Sequence, residues 1–273
     1  MVFRKSDRWH CGTVIPAAGL GRRMAPLTGG RPKEMLPVAG RPLIHHVVQE
    51  AIDAGIEQIC IVIREGKEAI PRYFEGDDFS PAEEANQTAE ELRSSCEITF
   101  AYQMQPRGLG DALLCARQFV ATDKFAMMIP DQLFAGKKAP VAQLTNKGLP
   151  ANSVVSSLIR IPASAVSYFP GARRFILKSD FAQEGVVVIT GIEQDDSVPQ
   201  RTCVRGFERT IYPPEIFHFL GIEFANPLIG EVDLLRSFQA LLQEIPGYGV
   251  FLEGEGFDLG TVDGYRFFEP RWP

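Results

Sequence analysis

Apolar residues fall along this chain in two rhythms. Short unbroken runs at Gly12–Pro16, Gln58–Ile63 and Phe125–Pro130 have the length and the flanking turn residues of buried strands. Between the first two, the spacing changes to the helical period. Pro42 opens a segment in which Leu43, Val47, Ala51 and Ala54 recur on one face, and Gly55 closes it. Residues 12–63 therefore predict a strand, a glycine-rich loop, a helix and a second strand. The acidic, polar stretch from Gly76 to Ser95 reads as a surface excursion containing a helix. Ile98–Gln103 predicts a strand, Leu109–Val120 a helix, and the Phe125–Pro130 strand ends at Asp131. In the second half Val154–Ile161, Gly185–Ile192 and Cys203–Tyr212 predict strands joined by loops. Glu231–Glu244 predicts a helix and Gly249–Leu252 a short strand.

Strands alternating with helices imply an α/β layered fold around a largely parallel sheet. No Pro/Gly/Ser-rich linker divides the chain, so a mixed-sheet extension fits the second half better than an independent domain. At 273 residues the chain is long enough to hold a core without disulfides or metal. Its five cysteines, Cys11, Cys60, Cys96, Cys115 and Cys203, are widely spaced and include no C-x-x-C pair, which suits reduced thiols in a cytosol. The apolar runs are far short of the ~20 residues of a membrane span. The opening MVFRKSDRWHCG has charge but no apolar core, so neither a membrane span nor a signal peptide is expected and the location is expected to be cytoplasmic. A net charge of −6 argues against a general nucleic-acid binder but leaves room for a local basic pocket.

That pocket has a candidate. Residues 13–37 read TVIPAAGLGRRMAPLTGGRPKEMLP, with Arg22, Arg23, Arg31 and Lys33 close together and no acid between Asp7 and Glu34. Glycines after a strand let backbone N–H groups approach an anion, and Arg and Lys add charge-assisted bonds to phosphate oxygens. The same pattern also describes a solvated surface loop, and alone it leaves both readings open. A P-loop is excluded because no G-x-x-x-x-G-K-[ST] occurs. A dinucleotide fingerprint is not supported either: Met24 stands where the third glycine belongs, and Glu65 lies too far along to be the ribose acid. Gly108-Leu109-Gly110 is a lone weak match.

The loop, continuing as PKEMLPVAGRPLIHHVVQEAIDAGI, together with QMQPRGLGDALLCA (103–116), MIPDQ (128–132) and FDLGTVDGY (257–265), resembles the sugar-1-phosphate nucleotidyltransferases. The likeness is greatest to bacterial UTP–glucose-1-phosphate uridylyltransferases, and the blocks span nearly the whole chain in family order. The resemblance implies a Rossmann-like, GT-A-like three-layer fold with a mixed, mostly parallel sheet. It implies one domain over residues 1–273, with a nucleotide-binding half at 1–135 and a sugar-phosphate-binding half at 136–273. The implied reaction moves a nucleotidyl group, UMP by default, from a nucleoside triphosphate to a sugar 1-phosphate, glucose 1-phosphate by default. Pyrophosphate is released and UDP-glucose formed. Such chemistry asks for positioning and charge neutralisation and needs no nucleophile triad.

By matched position, the resemblance gives Ala17, Ala18 and Gly19 to the nucleotide and Gln103 and Gly108 to the base. Arg23 and Lys33 would hold the triphosphate. Asp131 and Asp258 would carry Mg²⁺, which favours hard carboxylate oxygens. Gln105 competes with Gln103, but spacing to Gly108 favours Gln103. Arg22, in place of the family's Thr or Ser, reads as a solvated arginine, and Asp111 occupies a variable position with no chemistry expected of it.

On the sugar side Tyr168 and Glu193 are the matched residues. Phe169 replaces a family glycine and is expected to narrow the sugar's approach, unless Gly171 takes over. The family's Glu-Lys-Pro reads Glu193-Gln194-Asp195, so the lysine that grips the sugar phosphate is absent. Losing such a cation costs on the order of 3 kcal/mol by analogy with oxyanion donors. Arg173, Arg174, Lys178 or Arg201, which stands where relatives have Asn, are candidates to replace it. The alternatives are the same reaction with another sugar phosphate or base, and a weakly catalytic nucleotide-sugar-binding regulator. Relatives often form dimers or tetramers, so a homo-oligomer is a further implication.

Overall fold

The structure is a computed structural model. It describes residues 12–76, 83–120, 124–170, 174–178, 184–192, 202–226, 230–268 and 271–272, with 83–88 and 202–203 described in backbone only. Among these the strands are β1 (Thr13–Pro16), β2 (Pro37–Val38), β3 (Arg41–Pro42), β4 (Gln58–Ile63), β5 (Glu97–Tyr102), β6 (Phe125–Met128) and β7 (Gln132–Ala135). They continue as β8 (Val154–Pro162), β9 (Phe175–Lys178), β10 (Val186–Ile192), β11 (Thr202–Tyr212), β12 (Gly247–Phe251) and β13 (Glu255–Asp258).

Nine of them form one sheet in the order β5-β4-β1-β6-β11-β8-β12-β10-β9. Following the pairings across it, only β11 and β10 run against the other seven strands. The sheet is thus mixed and mostly parallel. It passes through both halves of the chain, because β6 pairs with β11.

Period-two alternation sorts the central strands between two cores. Ile15, Ile59, Ile61 and Ile63 point to one face, where Val47, Val48 and Ala51 of helix Leu43–Asp53 and Ile70 of helix Ala69–Glu75 cover them. Val14, Cys60 and Val62 point to the other. There Leu113 of helix Leu109–Cys115, Phe217 of helix Ile216–Ala225 and Phe238 of helix Leu234–Leu241 close the layer. Burial on both faces is why β1 and β4 read as continuous apolar runs rather than alternating ones.

The acidic stretch before Ser95 does contain a helix, Glu83–Ser95, but it is less of an excursion than its polarity suggests: Ala89 and Leu92 are buried against the first core. The helix expected over 109–120 divides at Ala116 into Leu109–Cys115 and Arg117–Val120. The helix expected from Glu231 begins at Leu234, because the Asp233 carboxylate caps it by accepting from Leu235 N–H at 2.7 Å. Cys60, Cys96 and Cys115 are free thiols, and burial pushes the first two up to about 11. Among the described residues no helix is long and apolar enough to cross a membrane.

Candidate active site

Two carboxylates far apart in sequence meet through a small sheet. Asp131 follows β6, and the chain then runs into β7, which pairs antiparallel with β13 in a register that sets Asp258 opposite Gln132. Leu259 N–H donates to Asp131 O at 2.7 Å and ties the two ends. Both side chains are buried and converge on the backbone of Gly260. A methyl group there would lie 2.9 Å from Asp131 Oδ2 and 3.0 Å from Asp258 Oδ1. The glycine therefore keeps open a gap between two hard oxygen donors. One or two carboxylates are what Mg²⁺ takes from a protein when phosphates and water complete its shell. Here Asp131 Oδ2 is paired with Lys33, and Asp258 Oδ1 accepts from Gly260 N–H at 2.8 Å. Burial, and after it the neighbouring Asp131, pushes the Asp258 carboxyl up to about 6. Asp131 behaves oppositely. Burial works to raise it, but Lys33 and then Arg23 outweigh that and hold it below the usual carboxylate range.

Lys33 reaches this pair from the glycine loop and forms an ion pair with Asp131. Burial alone would lower its ammonium, yet Asp131 and Glu34 overcome the cost and keep it raised and charged. The loop delivers it by a turn at Gly21, which adopts the left-handed conformation (φ 65°) and starts the turn Arg22–Met24 against the lysine's stem. The next residue, Glu34, is fully buried and accepts from Lys67 Nζ at 2.5 Å, which anchors the segment behind Lys33. Breaking such a buried pair leaves an uncompensated charge.

Asp131, Lys33 and Asp258 line a cavity of about 950 Å³, near the upper end for small-molecule sites. Ala18, Gly19, Arg23, Gln103 and Gly108 line it too, so eight of the residues expected from the sequence come together. Ala17 is fully buried and not part of the lining. Arg22 is exposed, in keeping with a solvated arginine, and Gln105 is exposed and outside the lining, whereas Gln103 is buried and within it. Gly108 has φ 94° and precedes helix Leu109–Cys115 directly beneath Glu231, which leaves no room for a side chain. Segment 230–233 lies across that turn: Val232 N–H donates to Arg107 O at 2.7 Å and Gly110 N–H to Val232 O at 3.1 Å.

Several participants were not legible. Asp111, of which no chemistry was expected, accepts from Gln103 Nε2 at 2.7 Å. Arg209 is fully buried and grips Glu50 through Nε and Nη2 at 2.7 and 2.8 Å. It also donates to the carbonyls of Ile129 (3.0 Å) and Gln132 (2.8 Å), the two residues that bracket Pro130-Asp131. Glu208 and Arg236 both line the cavity. For Glu208 and Arg209 the one signal was adjacent opposite charges in a predicted strand, Cys203–Tyr212, which otherwise carries only Arg205 as a charge.

On the sugar side the structure changes two expectations. Phe169 does not narrow the cavity: it is buried among Ile159, Ile161, Phe207 and Leu252, so the apolar ring is drawn into a core. Tyr168 stacks on Phe267 at 4.2 Å and is not among the lining residues. Of the suggested replacement cations, Arg174 and Lys178 flank or end β9, the sheet's far edge, and neither lines the cavity. Gly171, Arg173, Glu193, Gln194, Asp195 and Arg201 lie outside the described residues.

The sequence profile of the nucleotidyl transferase family matches residues 12–162. A UTP–glucose-1-phosphate uridylyltransferase of Bacillus subtilis is 29% identical over 266 residues, covering 92% of this chain and 87% of that protein. One from Mycoplasma pneumoniae is 29% identical over 261 residues, covering 92% and 88%. A crystal structure of UDP-glucose pyrophosphorylase complexed with UDP-glucose superposes with a TM-score of 0.79 at 25% identity, covering 96% of this chain and all of that one.

Proposed function

The chain belongs to the nucleotidyl transferase family, and on that premise we propose that it transfers UMP from UTP to glucose 1-phosphate, forming UDP-glucose and pyrophosphate. The observation that carries this reading is the convergence of Lys33, Asp131 and Asp258 in one cavity with Arg23. In the reaction a phosphate oxygen of the sugar 1-phosphate attacks the α-phosphorus in line. The α–β P–O bond breaks, and its electron pair leaves on pyrophosphate. The protein supplies no nucleophile. Arg23 and Lys33 offset charge on the triphosphate, and the Lys33 ammonium is already held in the cavity by Asp131, so little reorganisation accompanies reaction.

Asp131 and Asp258 would hold Mg²⁺, which when bound supplies Lewis-acid neutralisation between the phosphates. Asp258, at about 6, is mostly ionised at neutral pH and able to accept a cation. Ala18, Gly19 and Gly108 present close backbone to the nucleotide, with Ala17 supporting them from behind. Gln103 reads the base. The whole chain acts as one unit, its second half closing the acceptor side, where Glu193 is assigned to the sugar hydroxyls. Arg236, a lining residue on helix Leu234–Leu241 whose exposed guanidinium pairs with Asp233 (3.6 Å) and Glu223 (3.9 Å), is assigned to the acceptor phosphate in place of the missing lysine and would have to exchange those pairs for it. Tyr168 is left out, because its ring is stacked on Phe267.

Pyrophosphate release by Asp131→Asn and Asp258→Asn tests the assignment. Each is expected to fall by at least about a hundredfold, as for loss of a preorganised charge. Unchanged turnover in both would remove the metal assignment. Arg236→Ala is expected to raise KM for glucose 1-phosphate more than for UTP; an equal effect on both would remove the acceptor role.

A further inference from the structure

Gln103 follows β5, its backbone N–H held by Ile63 O at 2.8 Å, and its side chain turns inward with 4% of the residue exposed. Its Nε2 donates twice, to Gly108 O at 2.9 Å and to Asp111 Oδ2 at 2.7 Å. Both partners are acceptors: a peptide carbonyl and a carboxylate. The amide can present only its NH₂ group to them, and a turned amide would set oxygen against two oxygens. Oε1 is then the atom left for the cavity that Gln103 lines. Asp111 is itself buried, with 7% exposed, and does not line the cavity; it stands behind the glutamine.

We infer that Asp111 is a positioning residue that fixes the Gln103 amide with its oxygen toward the base, so that the site takes pyrimidines bearing an N3–H donor, uracil or thymine, and refuses cytosine. The inference rests on the nucleotide reading of the cavity. Cytosine N3 carries a lone pair where uracil and thymine carry hydrogen, so Oε1 attracts the first kind of edge and repels the second. A glutamine free to turn would offer its NH₂ to cytosine and lose the distinction. Of the two partners that prevent turning, Asp111 is the charged one and the stronger acceptor. Its place in the first turn of helix Leu109–Cys115 also favours an acid on electrostatic grounds alone. That purely structural role makes no difference between one pyrimidine and another.

Calorimetric binding of UTP, dTTP and CTP to the full chain separates the two without requiring turnover. In the wild type UTP and dTTP are expected to bind alike and CTP far more weakly. Asp111→Ala is expected to shrink the UTP-to-CTP affinity ratio by about tenfold or more, as for loss of a charge-assisted hydrogen bond, and to leave the UTP-to-dTTP ratio unchanged. Asp111→Asn keeps the side chain's shape but can offer an NH₂ to a turned glutamine; it is expected to shrink the same ratio several-fold, and it decides the matter if the alanine variant does not fold. A UTP-to-CTP ratio unchanged in Asp111→Asn, or affinities that fall together for all three nucleotides, would overturn the role of Asp111 and leave the nucleotide reading standing. A wild-type chain that binds none of the three would overturn both.

Discussion

Gly260 shows how much a single hydrogen can decide. A methyl group in its place would sit about 3 Å from one oxygen of each acidic residue, in the gap where a cation would bind. Gly260→Ala is therefore expected to cut turnover by about a hundredfold or more, while its melting temperature stays within a few degrees of wild type. Full activity in that variant would mean the gap is not used. His45 is a second case, away from the site. Arg41 Nη1 approaches its Nε2 at 3.3 Å, which assigns the ring hydrogen to Nδ1, 2.8 Å from Tyr73 Oη. Burial first, then His46 and Arg41, pushes the imidazole down to about 3. The unfolded chain takes up a proton near pH 6.5 that the folded chain refuses until about pH 3, so this contribution to stability is full above 6.5 and is lost as pH falls. Between pH 6.5 and 5 the loss is about 1.5 kcal/mol. Urea unfolding at the two pH values should show this component in the wild type and its absence in His45→Gln; equal pH slopes would contradict it. Residues of this kind were unevenly legible. Asp131 and Asp258 were reached through the family resemblance and not from their short motifs alone, whereas the bond between Asp111 and Gln103 depends on side-chain direction, which spacing does not encode.

At the level of elements, the long periodic segments were readable and the short pieces that assemble the site were not. Strands β1 and β4 and helix Leu43–Asp53 follow directly from apolar spacing. The pair β7–β13, which brings Asp258 to Asp131, spans four residues on each side and joins distant parts of the chain, so local pattern gives no sign of it. Helix Ile216–Ala225 was missed for another reason: apolar residues occur all around it, and Ile222 and Phe224 remain exposed, so no single face stands out. The connection between β6 and β7 depends on Arg209, which holds the carbonyls on either side of Pro130-Asp131 and is itself held by Glu50. Arg209→Leu is expected to destabilise the fold by about 3–5 kcal/mol, because it strands a carboxylate and two carbonyls that have lost their donor. Urea unfolding measures this, and a loss below about 1 kcal/mol would show that the Asp131 turn holds its shape without the arginine.

Across the whole molecule, one mixed sheet carries the donor-side residues at the ends of β1, β5 and β6 and the opposite wall on the segment that precedes helix Leu234–Leu241. The basic pocket expected from the glycine loop is not what this arrangement makes. Arg23, Lys33 and Arg236 share the cavity lining with six acids, Glu34, Asp131, Glu208, Glu231, Asp233 and Asp258, so placement of individual cations and carboxylates, rather than a positive field, would have to bind phosphates. Ala18, Gly19, Arg23, Lys33, Gln103 and Gly108 were legible because they lie in the two long blocks of the resemblance. The wall formed by Glu231, Asp233 and Arg236 was not, because it belongs to a helix start that the hydrophobic spacing placed too early. Pyrophosphate release from UTP and glucose 1-phosphate by the wild-type chain with Mg²⁺ is the direct measure of UMP transfer. The expected result is release that requires both substrates and the cation, with UDP-glucose formed in equal amount. Tight UTP binding with no pyrophosphate released, from glucose 1-phosphate or any other sugar 1-phosphate offered, would contradict it and leave a nucleotide-binding protein in the enzyme's place.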